Sequence, residues 1–126
     1  MALRLSVDNV NFRDNATSII EGGGKVFATN LTVTNNGFTG PLPQTVEAVA
    51  AIRLRGTNLN VTNNSGFAIG AWSVRLFESV VTGNNGFGAG VDILSRARPQ
   101  LNDATCGHSR RNNDTSLSWG VCTGDP

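Results

Sequence analysis

The sequence predicts an all-β protein, a right-handed parallel β-helix of about five coils with three short strands per coil and a C-terminal cap. Three observations predict it. The phrase NLTVTNNGF, residues 30–38, returns as NLNVTNNSGF at 58–67 and, worn, as SVVTGNNGF at 79–87, with an earlier echo, NVNFRDN, at 9–15. Val10, Leu31, Leu59, Val80 and Leu101 fall 21, 28, 21 and 21 residues apart. Self-similarity at such a period marks a repeat architecture whose units stack to share one core. Finally, strand formers alternate with turn formers along the chain, with 15 glycines and abundant Asn and Thr, which favours strands over helices.

Each element follows from this register. Phe12, Val33 and Val61 lie two places after the first apolar column, as an inward face of period two requires. Another strand precedes each of these, with inward pairs Leu3 with Leu5, Gly24 with Val26, Ile52 with Leu54, and Val74 with Leu76. A third short strand follows the asparagines at Thr17 to Ile20, Phe67 to Ala71 and Phe87 to Val91. At roughly 4.8 Å per coil the stack stands about 24 Å tall. Asn9, Asn30, Asn58 and Ser79 precede the repeated strand. Asp14, Asn35, Asn63 and Asn84 follow it, then Asn15, Asn36, Asn64 and Asn85. Asn and Gly tolerate the left-handed backbone that sharp corners need, and stacked Asn amides can hydrogen-bond from coil to coil.

The 28-residue step implies an inserted loop, Thr39 to Ala51, within the coils at 1–103. Glu78 stands where Thr29 and Thr57 stand in earlier repeats, and Asp103 falls in the inward column of Phe12, Val33 and Val61. An unpaired buried carboxylate there would be costly, so the register is expected to break near Pro99 to Asp103. Residues 104–126 then form the cap, with Trp119 as its bulky anchor. Cys106 and Cys122 are the only cysteines. Joined, they would close a loop of about 15 residues and contribute on the order of 3 kcal/mol. The alternative is two thiols in a reducing compartment.

Composition excludes some functions. The net charge is +1, which gives no global field pointing to nucleic acid or membrane, and no apolar run approaches the roughly 20 residues of a membrane span. No secretory signal opens the chain, so two expectations stand: a protein that stays inside its source cell, or, favoured because the repeat starts without a cap, a fragment of a longer protein that could be exported in its full-length context. Two cysteines and the sole histidine, His108, do not complete a four-ligand zinc site. No acid cluster offers the six to eight oxygens of a calcium site, and no cofactor signature stands in the chain. Polysaccharide hydrolysis needs two carboxylates about 5 to 9.5 Å apart. Asp8 and Glu78 share a column in this register, but three coil steps separate them by about 14 Å. His108 and Asp114 lie in the cap without an elbow motif near a serine.

One outward column carries chemistry. Arg4, Lys25, Arg53, Arg75 and Arg96 recur at steps of 21, 28, 22 and 21, and beside them run Ser6, Phe27, Arg55, Phe77 and Arg98. Like charges opposite one another across strands are mildly destabilising, a cost that a bound anion would relieve. Guanidinium groups match carboxylate and phosphate geometry. The bland reading of the same stripe is a solvated, aggregation-resistant sheet face.

With its VxNN-type repeats the chain resembles the right-handed parallel β-helix superfamily that includes pectate lyases. The tail, TCGHS followed by SWGVC, is similar to the ends of bacterial β-helix proteins of unknown function. The resemblance covers nearly the whole chain as a repeat pattern. It implies a groove on one outer face that meets acidic polysaccharide. The superfamily's calcium-binding aspartates and catalytic arginine contexts have no residue-level match here. The sequence therefore leads to a β-helix domain, uncharacterised as to chemistry, that binds an anionic polysaccharide along the basic face. The alternatives are a structural module that pairs with other copies through its coil ends, and the remnant of a polysaccharide lyase or hydrolase.

Overall fold

The computed structural model describes residues 4–15, 20–38 and 41–126, with Gln44 described by its backbone alone. The architecture is all-β. Among the described residues nine strands form one sheet: β1 (Arg4–Arg13), β2 (Ile20–Thr34), β3 (Glu47–Thr62), β4 (Phe67–Phe77), β5 (Val80–Thr82), β6 (Ile93–Ser95), β7 (Gln100–Asn102), β8 (Thr105–Cys106) and β9 (Ser109–Arg111). A 3-10 turn, Pro43–Thr45, precedes β3. Every strand-to-strand pairing is parallel, in the order β1-β2-β3-β4-β6-β9, with β5 on β3, β7 on β4 and β8 on β5. This arrangement is compatible with a β-helix-like solenoid.

The core runs as rows of side chains set over one another. Ile20, Val49, Ile69, Ile93 and Ser109 form one row. Leu5, Val26, Leu54 and Val74 form a second, and Val7, Ala28, Gly56, Leu76 and Leu101 a third. Phe12, Val33, Val61, Val81 and Cys106 form a fourth. From the second strand onward nearly all are buried. The strands are longer than the sequence suggests: β2 spans 15 residues and β3 16. They stay continuous through a corner because one residue turns without breaking the ladder. Asn9, Asn30 and Asn58 sit there at φ 55°, 52° and 55°, in the left-handed region that Asn tolerates.

The register departs from the sequence reading after β3. The next step is 20 residues, and the residue at the corner is Glu78, at φ 50°, followed by Asp103 at φ 49°. Glu78 is thus the counterpart of Asn58 and lies outside the column of Asp8, Thr29 and Thr57, which continues to Phe77. Asp103 is an exposed corner residue and not an inward one. The inward place is taken by Cys106, and the parallel register continues through β7, so it does not break at Pro99 to Asp103. Val80 is 44 % exposed while Val81 is fully buried, and Leu101 pairs with Leu76 in a different row. Likewise Leu54 meets Val74, and Leu76 lies against Gly56. A Cβ on Gly56 would come within 2.4 Å of Leu59 Cδ1, so the row needs glycine there to admit its neighbours.

Other expectations shift with it. Glu47 to Ala51, read as loop, begin β3, with Ala48 and Val49 in the core. Phe87 to Val91 form a turn closed by an antiparallel Gly86–Val91 bridge, and the strand comes at Ile93 instead. Gly88 and Gly90, at φ 65° and 75°, make that turn possible. Leu3 and the residues of the expected Thr17 to Ile20 strand before Ile20 lie outside the described residues, as do Thr39 and Gly40.

The chain end returns to the body. Residues after Asp103 add β8 to β5 and β9 to β6. Cys106 and Cys122 form a disulfide, with Cα atoms 4.8 Å apart. Trp119 Nε1 donates to Ser95 O at 3.3 Å, and Arg111 stacks 4.6 Å over its ring.

Candidate functional site

The outward residues of β1 to β4 and the segment before β7 make a basic face. Its side chains point out because their neighbours two places apart alternate with buried Val26, Leu54 and Val74. Arg4 pairs with Lys25 and Lys25 with Arg53, as the sequence predicts. The 20-residue step then changes the column: Arg53 meets Ser73, and Arg75 lies beside Arg55 and opposite Gln100. The expected straight line from Arg4 to Arg96 is therefore replaced by two short rows, Arg4–Lys25–Arg53 and Arg55–Arg75.

These rows border a groove of about 470 Å³. Lys25, Arg53, Arg55, Arg75 and Arg98 line it, together with Phe27, Ser73 and Gln100, and no aspartate or glutamate does. Arg75 Nε donates to Gln100 Oε1 at 2.8 Å, which fixes one guanidinium along the wall. Among the described residues the one ion pair is Arg110–Asp125, elsewhere on the molecule. The five groove cations thus face one another without a protein counter-ion. Arg4 and Phe77 border the groove outside its lining. Arg4 stacks 4.3 Å over the Phe27 ring and Arg55 5.0 Å over Phe77. Arg96 is not in the groove; it stacks 4.8 Å over Trp72, which is itself 52 % exposed. Ser73 and Gln100 escape the sequence reading because its steps of 22 and 21, from Arg53 to Arg75 to Arg96, stand where the paired strands step by 20 and 25.

A second groove, of about 610 Å³, lies over Glu21, Glu47, Gly70 and Trp72. Burial pushes the Glu47 carboxyl above its ordinary range; its own backbone N–H opposes this and Glu21 adds to it.

Inside the stack a side-chain ladder links the strands. Asn15 donates its N–H and Nδ2 to Asn36 Oδ1 at 2.8 and 3.0 Å. Asn36 does the same to Asn64 at 3.1 and 2.7 Å, and Asn64 to Asn84 at 3.1 and 2.7 Å. The fourth rung is Asn84 and not Asn85, because Gly83 takes the left-handed place held earlier by Asn63. The ladder ends on Asp92, whose Oδ1 accepts both Asn84 donors at 2.9 and 2.7 Å and whose Oδ2 accepts the His108 N–H at 2.9 Å. Burial raises the Asp92 carboxyl above its ordinary value, and these hydrogen bonds pull the other way without overcoming it. The negative end of a chain of aligned amides is a structural role, and it accounts for this buried acid. His108 meets Asp92 through its backbone, not its ring, so the two form no catalytic dyad.

Asp125 does comparable work for the chain end. Its carboxylate accepts from Ser109 N and Oγ, from Val121 N and Cys122 N, and pairs with Arg110 at 3.3 Å. Burial alone would raise it, but these bonds outweigh that and hold it below the usual carboxylate range. Among the described residues no group of three or more His, Cys, Asp or Glu is placed to hold a metal ion. No helix of the described residues is long and apolar enough to cross a membrane.

Comparison with known proteins finds no matching family model, no matching curated protein and no matching solved structure.

Proposed function

We propose that the chain is a right-handed parallel β-helix domain of about five coils, with residues 104–126 as its C-terminal cap, and that it binds an anionic polysaccharide on its basic outer face. The likeness of its VxNN-type repeats to the pectate lyase-like superfamily motivates the fold assignment. What carries the binding reading is the groove lined by Lys25, Arg53, Arg55, Arg75 and Arg98 with no acid among its lining residues. Cations held at strand spacing repel one another, and an anion seated between them turns that cost into charge-assisted hydrogen bonds.

The test is retention on an immobilised uronate polymer. The double variant Arg53→Ala, Arg75→Ala is expected to elute earlier than the parent at unchanged melting temperature, since both side chains are exposed. Equal retention of variant and parent, on this polymer and on a sulfated one, discards the reading.

A second reading rests on β1. It pairs only with β2 among the described residues, and Leu5 is 38 % exposed. Such an edge is a template for another copy, as in a structural module joined end to end. Sedimentation that stays monomeric across the micromolar range rejects that assembly.

A further inference from the structure

Resting on the polysaccharide reading, we infer that the groove takes a short saccharide segment carrying several sulfate or phosphate esters, and not a run of singly charged uronates.

Three observations carry this. The first is charge density. A row of uronates presents one charge per sugar along a line, and it suits cations in one straight column about 4.8 Å apart. Such a column stops after Arg53, where Ser73 takes the next place. The cations gather instead into a compact block: Arg53 and Arg55 two places apart on one strand, Lys25 across from Arg53, and Arg75 across from Arg55.

The second is size. At about 470 Å³ the groove falls within the roughly 300–1,000 Å³ typical of small-ligand sites. A ligand segment of that size must match five cations that no lining acid offsets. One carboxylate per sugar leaves part of that charge uncompensated. Ester groups supply more than one anion per sugar, each with several acceptor oxygens for the fork of a guanidinium.

The third is what the groove does not offer. Phe27 is its one aromatic residue, and Arg4 already covers that ring at 4.3 Å. One face of the groove's only aromatic ring thus already carries a guanidinium, so recognition falls mainly to charge and hydrogen bonds.

The experiment is titration calorimetry at physiological ionic strength with four probes. They are a heparin-derived tetrasaccharide, the same tetrasaccharide with its sulfates removed and its uronates kept, tetragalacturonate, and glucose 1,6-bisphosphate. The sulfated tetrasaccharide is expected to bind one to one, at least about 10-fold tighter than either uronate-only probe, because each lost charge-assisted contact is worth about that factor. The affinity falls in Arg55→Ala, Arg75→Ala and persists in Arg13→Ala, which lies outside the groove. Should glucose 1,6-bisphosphate compete at comparable concentration, phosphate esters are included; should it fail while the sulfated probe binds, the ligand is a sulfate ester. Uronate-only probes binding as tightly as the sulfated one overturn this inference and leave the polysaccharide reading standing. No binding by any probe overturns both. Equal loss in Arg13→Ala means diffuse charge attraction and also overturns it.

Discussion

Replacing Asn64 by alanine cuts the side-chain ladder at its middle. Asn64 is 2 % exposed and its rung neighbour Asn36 1 %. The substitution strands two donors of Asn36, its N–H at 3.1 Å and its Nδ2 at 2.7 Å, and neither gains another acceptor in place. It also removes the Nδ2 bonds to Asn84 Oδ1, Val33 O and Thr62 O. Each buried polar group left without a partner costs about 1–3 kcal/mol. Two donors give about 2–6 kcal/mol, a large part of the roughly 5–15 kcal/mol that holds a domain folded. Asn15 supplies the comparison: none of the described residues donates to its side chain, and its backbone N–H stays on Asn36 Oδ1 after truncation, so Asn15→Ala should cost less than about 1.5 kcal/mol. Urea unfolding followed by far-UV circular dichroism measures both, with an unchanged slope confirming that stability alone has moved. A double variant, Asn36→Ala with Asn64→Ala, should cost less than the sum of its parts, since it removes the stranded donor of the Asn36 side chain. The reasoning fails if Asn64→Ala unfolds within about 0.5 kcal/mol of the parent, the usual range of a neutral surface change, or if Asn15→Ala costs as much.

Three further outcomes follow from the same geometry. Glu78 holds a left-handed corner at φ 50°, so Glu78→Asn should stabilise by about 0.5–1 kcal/mol, seen as a higher urea midpoint; a lower midpoint contradicts the corner assignment. Asp125 is held below its ordinary 3.8, so its folded form releases the proton more readily than its unfolded form. Its contribution is complete above pH 3.8 and is lost as pH falls through the lowered folded value. The stability gap between the parent and Asp125→Asn should therefore be largest near neutrality and close in acid; a gap independent of pH refutes this. Reducing the bond between Cys106 and Cys122, which stand 16 apart in sequence, should cost about 3 kcal/mol and lower the melting temperature by roughly 10 °C, measured with and without dithiothreitol.

Much of the fold is legible in the chain because periodicity is local. Val10, Leu31 and Leu59, with Phe12, Val33 and Val61, name the rows they occupy, since a strand's side chains alternate whatever surrounds it. The asparagines announce corners for an equally local reason: few residues accept positive φ. Arg4, Lys25 and Arg53 could be placed opposite one another on the same grounds.

What the tertiary structure alone decided begins at Glu78. The worn repeat could be aligned with Ser79 or with Glu78 at the corner, and one residue of slip turns every following side chain to the other face. Packing made the choice. It buries Val81 and leaves Val80 in solvent, and it gives Cys106 the inward place beneath Val81. In the preceding strand the observed step of 20 is two residues shorter than the Arg53-to-Arg75 spacing, which keeps the arginines on the outer face but sets Ser73 beside Arg53 and brings Arg75 to Arg55, turning a line of charge into a cluster. The joining of Asp92 to Asn84 is of this kind too, because they meet through a turn whose path depends on contacts distant in sequence. Local chemistry names the residues that can turn, point inward or carry charge; only the pairing and packing of the strands selects which of them meet.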